Sequence, residues 1–393
     1  MIRQLKAMRR VPSLSREGTR HTTVAASLLA AYILAACSMA PQYVRPEAPV
    51  AATYPDAGGA AISALSAGEI GWRAFFPDPR LQTLIVTALD NNRDLRTAAL
   101  RIEEARAQYD IQSADRWPNL NGTVTGARAR TPASLTPTGS AIVSSSYQVG
   151  LSLASFELDF FGRVRSLNDA ALAQYLATEQ ARQAVQISLV AEVAKAYLAE
   201  RAFAEQYALA QKTLEGRQTA YKLAQQRFNV GASSALDLRS SETLVLSARV
   251  ALSTLARQRA QAQNALTLLA GKPLADLPPP QALSAQNIVT DIPAGLPSDL
   301  LANRPDIRAA EQRLTAANAN IGAARAAFFP RISLTAGVGT ASNALSGLFE
   351  SGSRSWTFAP QMVLPIFDAG RNSANLTLAK VRDNIAVTDY EKT

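Results

Sequence analysis

Two stretches of the chain follow the same plan, and this internal repeat limits the possible folds more than any other feature of the sequence. Residues 105–163 and 316–371 each begin with an alanine-rich helical run that ends in an aromatic–proline pair. Two segments of alternating apolar and polar residues follow, separated by a Ser/Thr/Gly-rich loop, and a Gly-Arg pair then opens another helical run. Pro118 and Pro330 are 212 residues apart, and the two Gly-Arg pairs are 208 residues apart. We therefore predict two tandem structural repeats.

The alternating segments predict four β-strands, two in each repeat. They cover about residues 119–130, 147–160, 331–340 and 356–366. In the second segment the alternation changes phase, and a bulge near Ala154 would keep its apolar residues on one face. Each segment is about 10 residues long, the length that a tilted strand needs to cross a bilayer. A half-buried strand of a soluble sheet shows the same alternation, so the pattern alone leaves both interpretations open.

Large aromatic residues cluster at the helix–strand junctions, as in the interfacial girdle of a membrane barrel. These residues are Trp117, Phe160, Phe161, Phe328, Phe329 and Phe367. Four strands cannot close a barrel, and an open sheet edge in lipid would leave backbone groups unpaired. Two chains would supply eight strands with little lumen, whereas three chains would supply twelve strands and a pore. We therefore expect a homotrimer.

The second half of repeat 1 predicts a very long helical hairpin. Residues 163–230 contain no proline and a single glycine, which at 1.5 Å per residue predicts a rod of about 100 Å. Its narrow apolar stripes suit a helix packed between two neighbours in a wall or bundle, although a long coiled-coil hairpin would look the same locally. Gly231 is predicted to reverse the chain, and Ser233 or Ser234 to cap the next helix, which would end near Ala270.

The N-terminus is typical of an exported lipoprotein. Basic residues precede the apolar run Val24 to Ala36, which predicts a secretory signal peptide over residues 1–36. The sequence Leu34-Ala35-Ala36-Cys37 resembles a bacterial lipobox, whose cysteine receives a diacylglyceryl group. An ordinary secreted protein with a free cysteine at this position is the alternative. By resemblance to other lipoproteins, Ser38 points to the outer membrane, and outer membrane lipid is thus an expected partner.

Composition argues against an enzyme and against a metal site. Cys37 is the only cysteine and His21, the only histidine, lies in the predicted leader. The mature chain would therefore have neither a Ser-His-Asp arrangement nor a histidine-ligated metal, and we expect no cofactor. The formal charge is +9, but residues 1–36 contribute +5 of it, so nucleic-acid binding is not expected. Glu157 and Asp159 are better explained as carboxylates that face a polar lumen.

Four blocks of sequence resemble one known family. They are "LLANRPDIRAAEQRLTAANANIGAARAAFFPRISLTAGVG" (300–339), "LPIFDAGR" (364–371), "FELDFFGR" (156–163) and "RFNVGASSALDL" (227–238). They are similar to the outer membrane factor (TolC-like) family, specifically its NodT-type lipoproteins. The resemblance implies an α+β membrane protein: a trimeric twelve-stranded transmembrane β-barrel, with four strands per chain, continued by a long periplasmic α-helical barrel.

The resemblance also implies a function. It predicts a passive outer-membrane duct that carries small molecules from a periplasmic adaptor and an inner-membrane pump, usually of the resistance-nodulation-division type. The family's helix-tip motif carries over onto Arg227, Gly231, Ser234, Leu236 and Asp237, which we expect to contact the adaptor. For Gly231 and Ser234, the chemistry of the turn explains the residues equally well.

The sequence predicts the following domain organisation. It comprises a signal peptide (1–36), a lipidated N-terminal segment (37–80), repeat 1 (81–274), a Pro-rich linker (275–303) and repeat 2 (304–393). By internal comparison the second repeat lacks roughly 85 residues of helix, so we expect either a fragment or a truncated, non-functional duct, and no gate residue is predicted. A different class, a lipid-anchored coiled-coil structural protein of the envelope without pore activity, also remains open.

Overall fold

The computed structural model describes residues 39–51, 70–289 and 302–393. The predicted signal peptide, Cys37 and Ser38 lie outside the described residues. The helices are α1 (Trp72–Phe75), α2 (Pro79–Asn91), α3 (Arg93–Ala114), α4 (Arg163–Asn229), α5 (Ala235–Ala270), α6 (Pro305–Ala326) and α7 (Arg371–Lys392). The strands are β1 (Leu120–Thr131), β2 (Ile142–Leu158), β3 (Arg331–Ser342) and β4 (Arg354–Val363). None of the helices in the described ranges is long and apolar enough to cross a membrane.

The described residues form two compact units. Tyr109–Leu172 and Thr315–Ala386, together with residues 39–44, form the sheet unit. The described parts of Arg45–Gln108 and Ala173–Leu314, with Val387–Thr393, form the helical unit.

The sheet unit contains one antiparallel sheet in the order β1-β2-β3-β4. The two repeats meet at the β2–β3 pair, where Leu151 lies opposite Val338.

β2 begins at Ile142 rather than near residue 147 as predicted, because the serine-rich start of this strand pairs with β1 although it lacks apolar alternation. β4 ends at Val363 rather than near residue 366, just before Pro365, which has no N–H to donate to a ladder.

β2 contains the bulge that the phase change predicted. Leu153 pairs with Ala336 and Phe156 with Leu334, so β2 carries one residue more than β3 at this point. Ser155 adopts a positive φ of 49°. The extra residue keeps Phe156 on the same face as Leu153, and the prediction of a bulge near Ala154 is therefore confirmed.

The register divides the sheet into two chemically different faces. One face carries the large apolar side chains of all four strands, among them Leu120, Val124, Val149, Leu151, Leu153, Val338, Trp356 and Phe358. The opposite face carries small and polar residues, among them Asn121, Thr123, Thr125, Gln148, Ser152, Gly337, Gly339 and Thr357. In the single chain the apolar face is open to solvent, with Trp356 78% and Phe358 62% exposed.

Within the sheet unit, the chain just after the predicted lipobox lies against α6. The Arg325 guanidinium donates to the Met39 carbonyl at 3.3 Å. A Cβ on Gly322 would come within 2.7 Å of the Ala40 backbone nitrogen, so only glycine allows this close approach.

The helical unit confirms the predicted long rods. α4 is 67 residues long and α5 is 36 residues long. α2 packs its buried side chains Leu81, Leu84 and Ile85 against Val193 of α4 and Leu266 of α5. This apolar cluster is the main core of the unit.

Buried polar contacts fix α2 against α4. The Asp78 carboxylate caps α2 by accepting from the Arg80 backbone N–H at 2.7 Å. It also accepts from the Tyr197 hydroxyl at 2.6 Å. Burial first, and the hydrogen bond to Asp78 second, raise the pKa of Tyr197 to about 12. Tyr197 is completely buried and Asp78 nearly so, so both polar groups depend on this contact.

Candidate functional site

The α4–α5 turn, residues 227–238, is the predicted adaptor-contacting tip. α4 ends in a Schellman motif: the Ala232 N–H donates to the Arg227 carbonyl at 2.8 Å and the Gly231 N–H to the Phe228 carbonyl at 3.0 Å. Gly231 has a φ of +74° and open space where a Cβ would lie. The position therefore requires glycine for its backbone conformation and not for lack of room.

The next helix begins with a reciprocal cap, and the structure selects Ser234 over Ser233. The Asp237 N–H donates to Ser234 Oγ at 3.2 Å, and the Asp237 carboxylate accepts from the Ser234 N–H at 3.3 Å. Ser234 Oγ and Ser233 Oγ also donate to this carboxylate, at 2.8 and 3.1 Å. The side-chain hydrogen bond from Ser234, then its backbone N–H, lowers the pKa of Asp237 below its usual value. Ser234 and Asp237 thus form a capping box.

The remaining tip side chains have no role in the turn itself. Val230 and Leu236 are 79% and 78% exposed, and Phe228 is 40% exposed. The side chain of Arg227 is also exposed, and only its backbone carbonyl takes part in the turn. The structure therefore explains Gly231, Ser234 and Asp237 by turn chemistry, whereas the side chains of Arg227 and Leu236 are left available for a partner.

At the junction between strands and helices, one carboxylate holds two arginines. The Arg163 Nε and Nη2 atoms donate to the two Glu157 carboxylate oxygens at 2.8 and 2.7 Å. The Arg331 Nε donates to the same carboxylate at 2.6 Å. Arg331 lies 174 residues from Glu157 in sequence, and the sequence predicted Glu157 as a lumen carboxylate but neither of its partners.

In both repeats, an aspartate carboxylate accepts a backbone hydrogen bond at the start of the helix that leaves the junction. Asp159 accepts from the backbone N–H of Arg165 at 2.7 Å, at the start of α4. Asp368 accepts from the backbone N–H of Asn372 at 2.9 Å, at the start of α7. Each carboxylate satisfies a helical N–H that has no partner within the helix. The signal available in the sequence was an aspartate shortly before each Gly-Arg pair, three residues before Gly162 and two before Gly370.

The six predicted girdle aromatics have different environments. Trp117 and Phe367 are 74% and 89% exposed. Phe161 and Phe329, one from each repeat, stack with ring centroids 4.9 Å apart and an interplanar angle of 19°. Phe160 and Phe328 lie beside this pair in sequence. The stacked pair joins the two junctions within the sheet unit, and the role of all six as a membrane girdle stays a prediction.

Among the described residues there is no group of three or more His, Cys, Asp or Glu side chains that could hold a metal ion.

An antiparallel sheet with one exposed apolar face, joined to helices of this length, is typical of outer membrane channel subunits. The chain matches the family described as "Outer membrane efflux protein" over residues 84–272 and 296–393. It belongs to that family. The chain is thus an outer membrane channel component of an efflux system, and the predicted family, function and location are confirmed.

Named relatives agree with this assignment. The chain is 52% identical over 372 residues to "Outer membrane protein OprJ" of Pseudomonas aeruginosa, covering 93% of this chain and 77% of that protein. It is 49% identical over 369 residues to "Toluene efflux pump outer membrane protein TtgC" of Pseudomonas putida, covering 92% of this chain and 76% of that protein.

Solved structures show the same helix-and-sheet fold. A crystal structure of a membrane protein from Pseudomonas aeruginosa matches with a TM-score of 0.81 and 51% identity, over 91% of this chain and 80% of that one. The open state of the Neisseria gonorrhoeae MtrE outer membrane channel matches with a TM-score of 0.80 and 45% identity, over 91% of this chain and 78% of that one.

Proposed function

We propose that three copies of the chain close their sheets into one twelve-stranded transmembrane barrel that is continued by the helices into the periplasm. The duct passively carries small molecules delivered by a periplasmic adaptor and an inner-membrane pump of the resistance-nodulation-division type. The observation that carries this proposal is the exposed apolar face that extends across all four strands.

The sheet edges support closure by other copies of the chain. β1 and β4 each pair on one side only within the described residues. In lipid, unpaired backbone groups cost several kcal/mol each, so both edges need a partner. Because the chain contributes an even number of antiparallel strands, β4 of one copy runs antiparallel to β1 of the next, and the ring closes with a single type of pairing.

The opposite face supplies the wall of the duct. Along the described strands, its only charged residues are Glu157 and Arg331, which pair with each other at the helical end. The rest of the wall consists of small, mostly polar and uncharged side chains. Such a surface gives solutes of either charge a water-filled path and binds none of them tightly, so the inner-membrane pump would select the substrate.

The tip and the N-terminus complete the proposed assembly. Arg227 and Leu236 would contact the adaptor, with Gly231, Ser234 and Asp237 holding the turn in shape. Cys37 would carry the lipid anchor. Residues 39–44 lie against α6 in the sheet unit, which supports an anchor near the strands.

The first test is native mass spectrometry and planar-bilayer recording on full-length protein extracted from outer membranes. We expect a lipidated trimer with stable single-channel conductance. Monomers without conductance would overturn the proposal and favour the coiled-coil structural protein. As an independent check on the anchor, Cys37→Ser is expected to lose the acyl mass and to retain the conductance.

A further inference from the structure

The apolar face of the sheet carries three arginines at the end where the strands are joined by loops. Arg128 and Arg130 lie near the end of β1, opposite Ser145 and Val143 of β2. Arg354 begins β4, opposite Thr340. Since side chains alternate along a strand, Arg128 and Arg130 share the face of Val124, and Arg354 shares the face of Trp356.

These arginines have no carboxylate partner among the described residues. All three are exposed, and no described ion pair includes any of them. The β1–β2 loop, residues 132–141, has no ionisable side chain, and the β3–β4 loop, residues 343–353, has one, Glu350. The loop end of the sheet is therefore basic, in contrast to the helical end, where Glu157 holds two arginines.

The height of Arg130 on the apolar face matches a membrane surface. The segment from Leu120 to Arg130 is about 34 Å long. In a strand tilted by about 45°, this length rises about 25 Å across the membrane, which is the height of the apolar band of an outer-membrane barrel. An arginine on the lipid face is costly at the midplane and tolerated near the interface. Trp356, two residues from Arg354, is the kind of residue found at that interface.

We propose that Arg128, Arg130 and Arg354 form a binding site for the phosphate groups of the lipopolysaccharide in the outer leaflet. This inference rests on the proposed function, because it places the strand-joining loops outside the cell. Guanidinium groups bind phosphate oxygens through paired, charge-assisted hydrogen bonds. The acyl chains of the same lipid cover the apolar side chains below.

Closure of the trimer would complete the site. Within one chain β2 and β3 separate β1 from β4, so Arg354 lies about 14 Å from β1. At the junction between copies β4 lies directly beside β1, at a strand spacing of about 5 Å. Each of the three junctions then brings the strand that carries Arg354 beside the strand that carries Arg128 and Arg130, and the trimer carries three sites.

The test measures the fluorescence of Trp356, which lies on the same face and at the same end of the sheet as the proposed site. The chain has three tryptophans, so Trp72→Phe and Trp117→Phe leave Trp356 as the only tryptophan in the full-length protein, and its fluorescence is excited selectively over that of tyrosine. The trimer is reconstituted into vesicles of brominated phosphatidylcholine, which quenches tryptophan on contact. Lipid A with two phosphates is then added, and recovery of fluorescence reports that it has displaced the brominated lipid.

We expect lipid A with two phosphates to restore fluorescence at low mole fraction. Removal of each arginine, as R128Q, R130Q or R354Q, is expected to weaken the apparent affinity about fivefold. Arg116→Gln removes an exposed arginine from the opposite end of the sheet unit and is expected to change nothing. Equal displacement by lipid A without phosphates, or unchanged affinity in the triple variant, would overturn the inference. Phosphatidylglycerol that competes as well as lipid A would also overturn it, in favour of any anionic lipid.

Single-channel conductance measured on the same preparations separates this inference from the proposed function. Conducting trimers without a preference for phosphorylated lipid A overturn the binding site alone. Preparations without conductance overturn the duct.

Discussion

Gly231→Ala is predicted to destabilise the tip, whereas Gly216→Ala is predicted to stabilise α4. Both glycines have open space where a Cβ would lie, so neither substitution creates a clash. They differ in backbone conformation, because Gly231 has a φ of +74° and Gly216 lies inside a regular helix. The pair therefore isolates the effect of φ from the effect of packing.

The magnitudes follow from the two conformations. An L-residue in the left-handed region costs about 1–2 kcal/mol, which would weaken the Schellman hydrogen bonds from Gly231 and Ala232. An alanine in a helix interior is about 1 kcal/mol more favourable than a glycine. The two variants should thus differ by about 2–3 kcal/mol in the stability of their own segments.

Hydrogen exchange measures this difference directly. In Gly231→Ala the amides of residues 231 and 232 are expected to exchange about 5- to 30-fold faster, with little change elsewhere. In Gly216→Ala, amides of the surrounding turns should exchange more slowly. Similar changes in both variants, or no change at the tip, would refute the argument from φ. If the tip contacts the adaptor as proposed, only Gly231→Ala should also increase drug susceptibility of the cells.

Three further predictions concern the core and the junction. Gly271→Ala should lower the melting temperature more than a surface change does, because a Cβ would lie 2.2 Å from the Asn91 carbonyl oxygen at a φ of +71°. Tyr197→Phe should cost about 1–3 kcal/mol in denaturant unfolding, since it leaves the buried Asp78 carboxylate without the hydroxyl. The raised pKa of Tyr197 is a stabilisation present below pH 10 and lost as pH rises towards about 12, so across that window the stability of wild type should fall more steeply than that of Tyr197→Phe. Glu157→Gln removes the carboxylate that pairs with both arginines at the junction, and the reversal potential in a salt gradient should shift towards anion selectivity.

The elements of the fold were predictable from the sequence where a single local signal determines them. The rod of α4 follows from the absence of proline, the tip from Gly231, and the bulge from a change of phase in β2. The start of β2 was missed, because Ser144 to Ser146 have no apolar alternation and become a strand only by pairing with β1. Propensity is a weak guide at such positions, where tertiary pairing decides.

The contacts at the junction and in the core depend on register and packing, which no local pattern contains. Tyr197 and Asp78 are 119 residues apart and meet only when α2 packs on α4. At the tip, the sequence located the turn, and the family motif assigned adaptor contact to all five residues, with turn chemistry as an alternative for Gly231 and Ser234. The hydrogen bonds separate those that shape the turn from Arg227 and Leu236, whose side chains remain exposed.

The bulge in β2 determines which side chains lie on each face of the sheet. Because side chains alternate along a strand, a slip of one residue moves every later side chain to the other face. Without the extra residue at Ala154–Ser155, Glu157 would point to the apolar side and Phe156 to the polar side. With it, Glu157 meets Arg331 on the polar face while Phe156 continues the apolar face. One irregular residue thus allows the same strand to place a paired charge on the proposed duct wall and an unbroken hydrocarbon surface on the proposed lipid side.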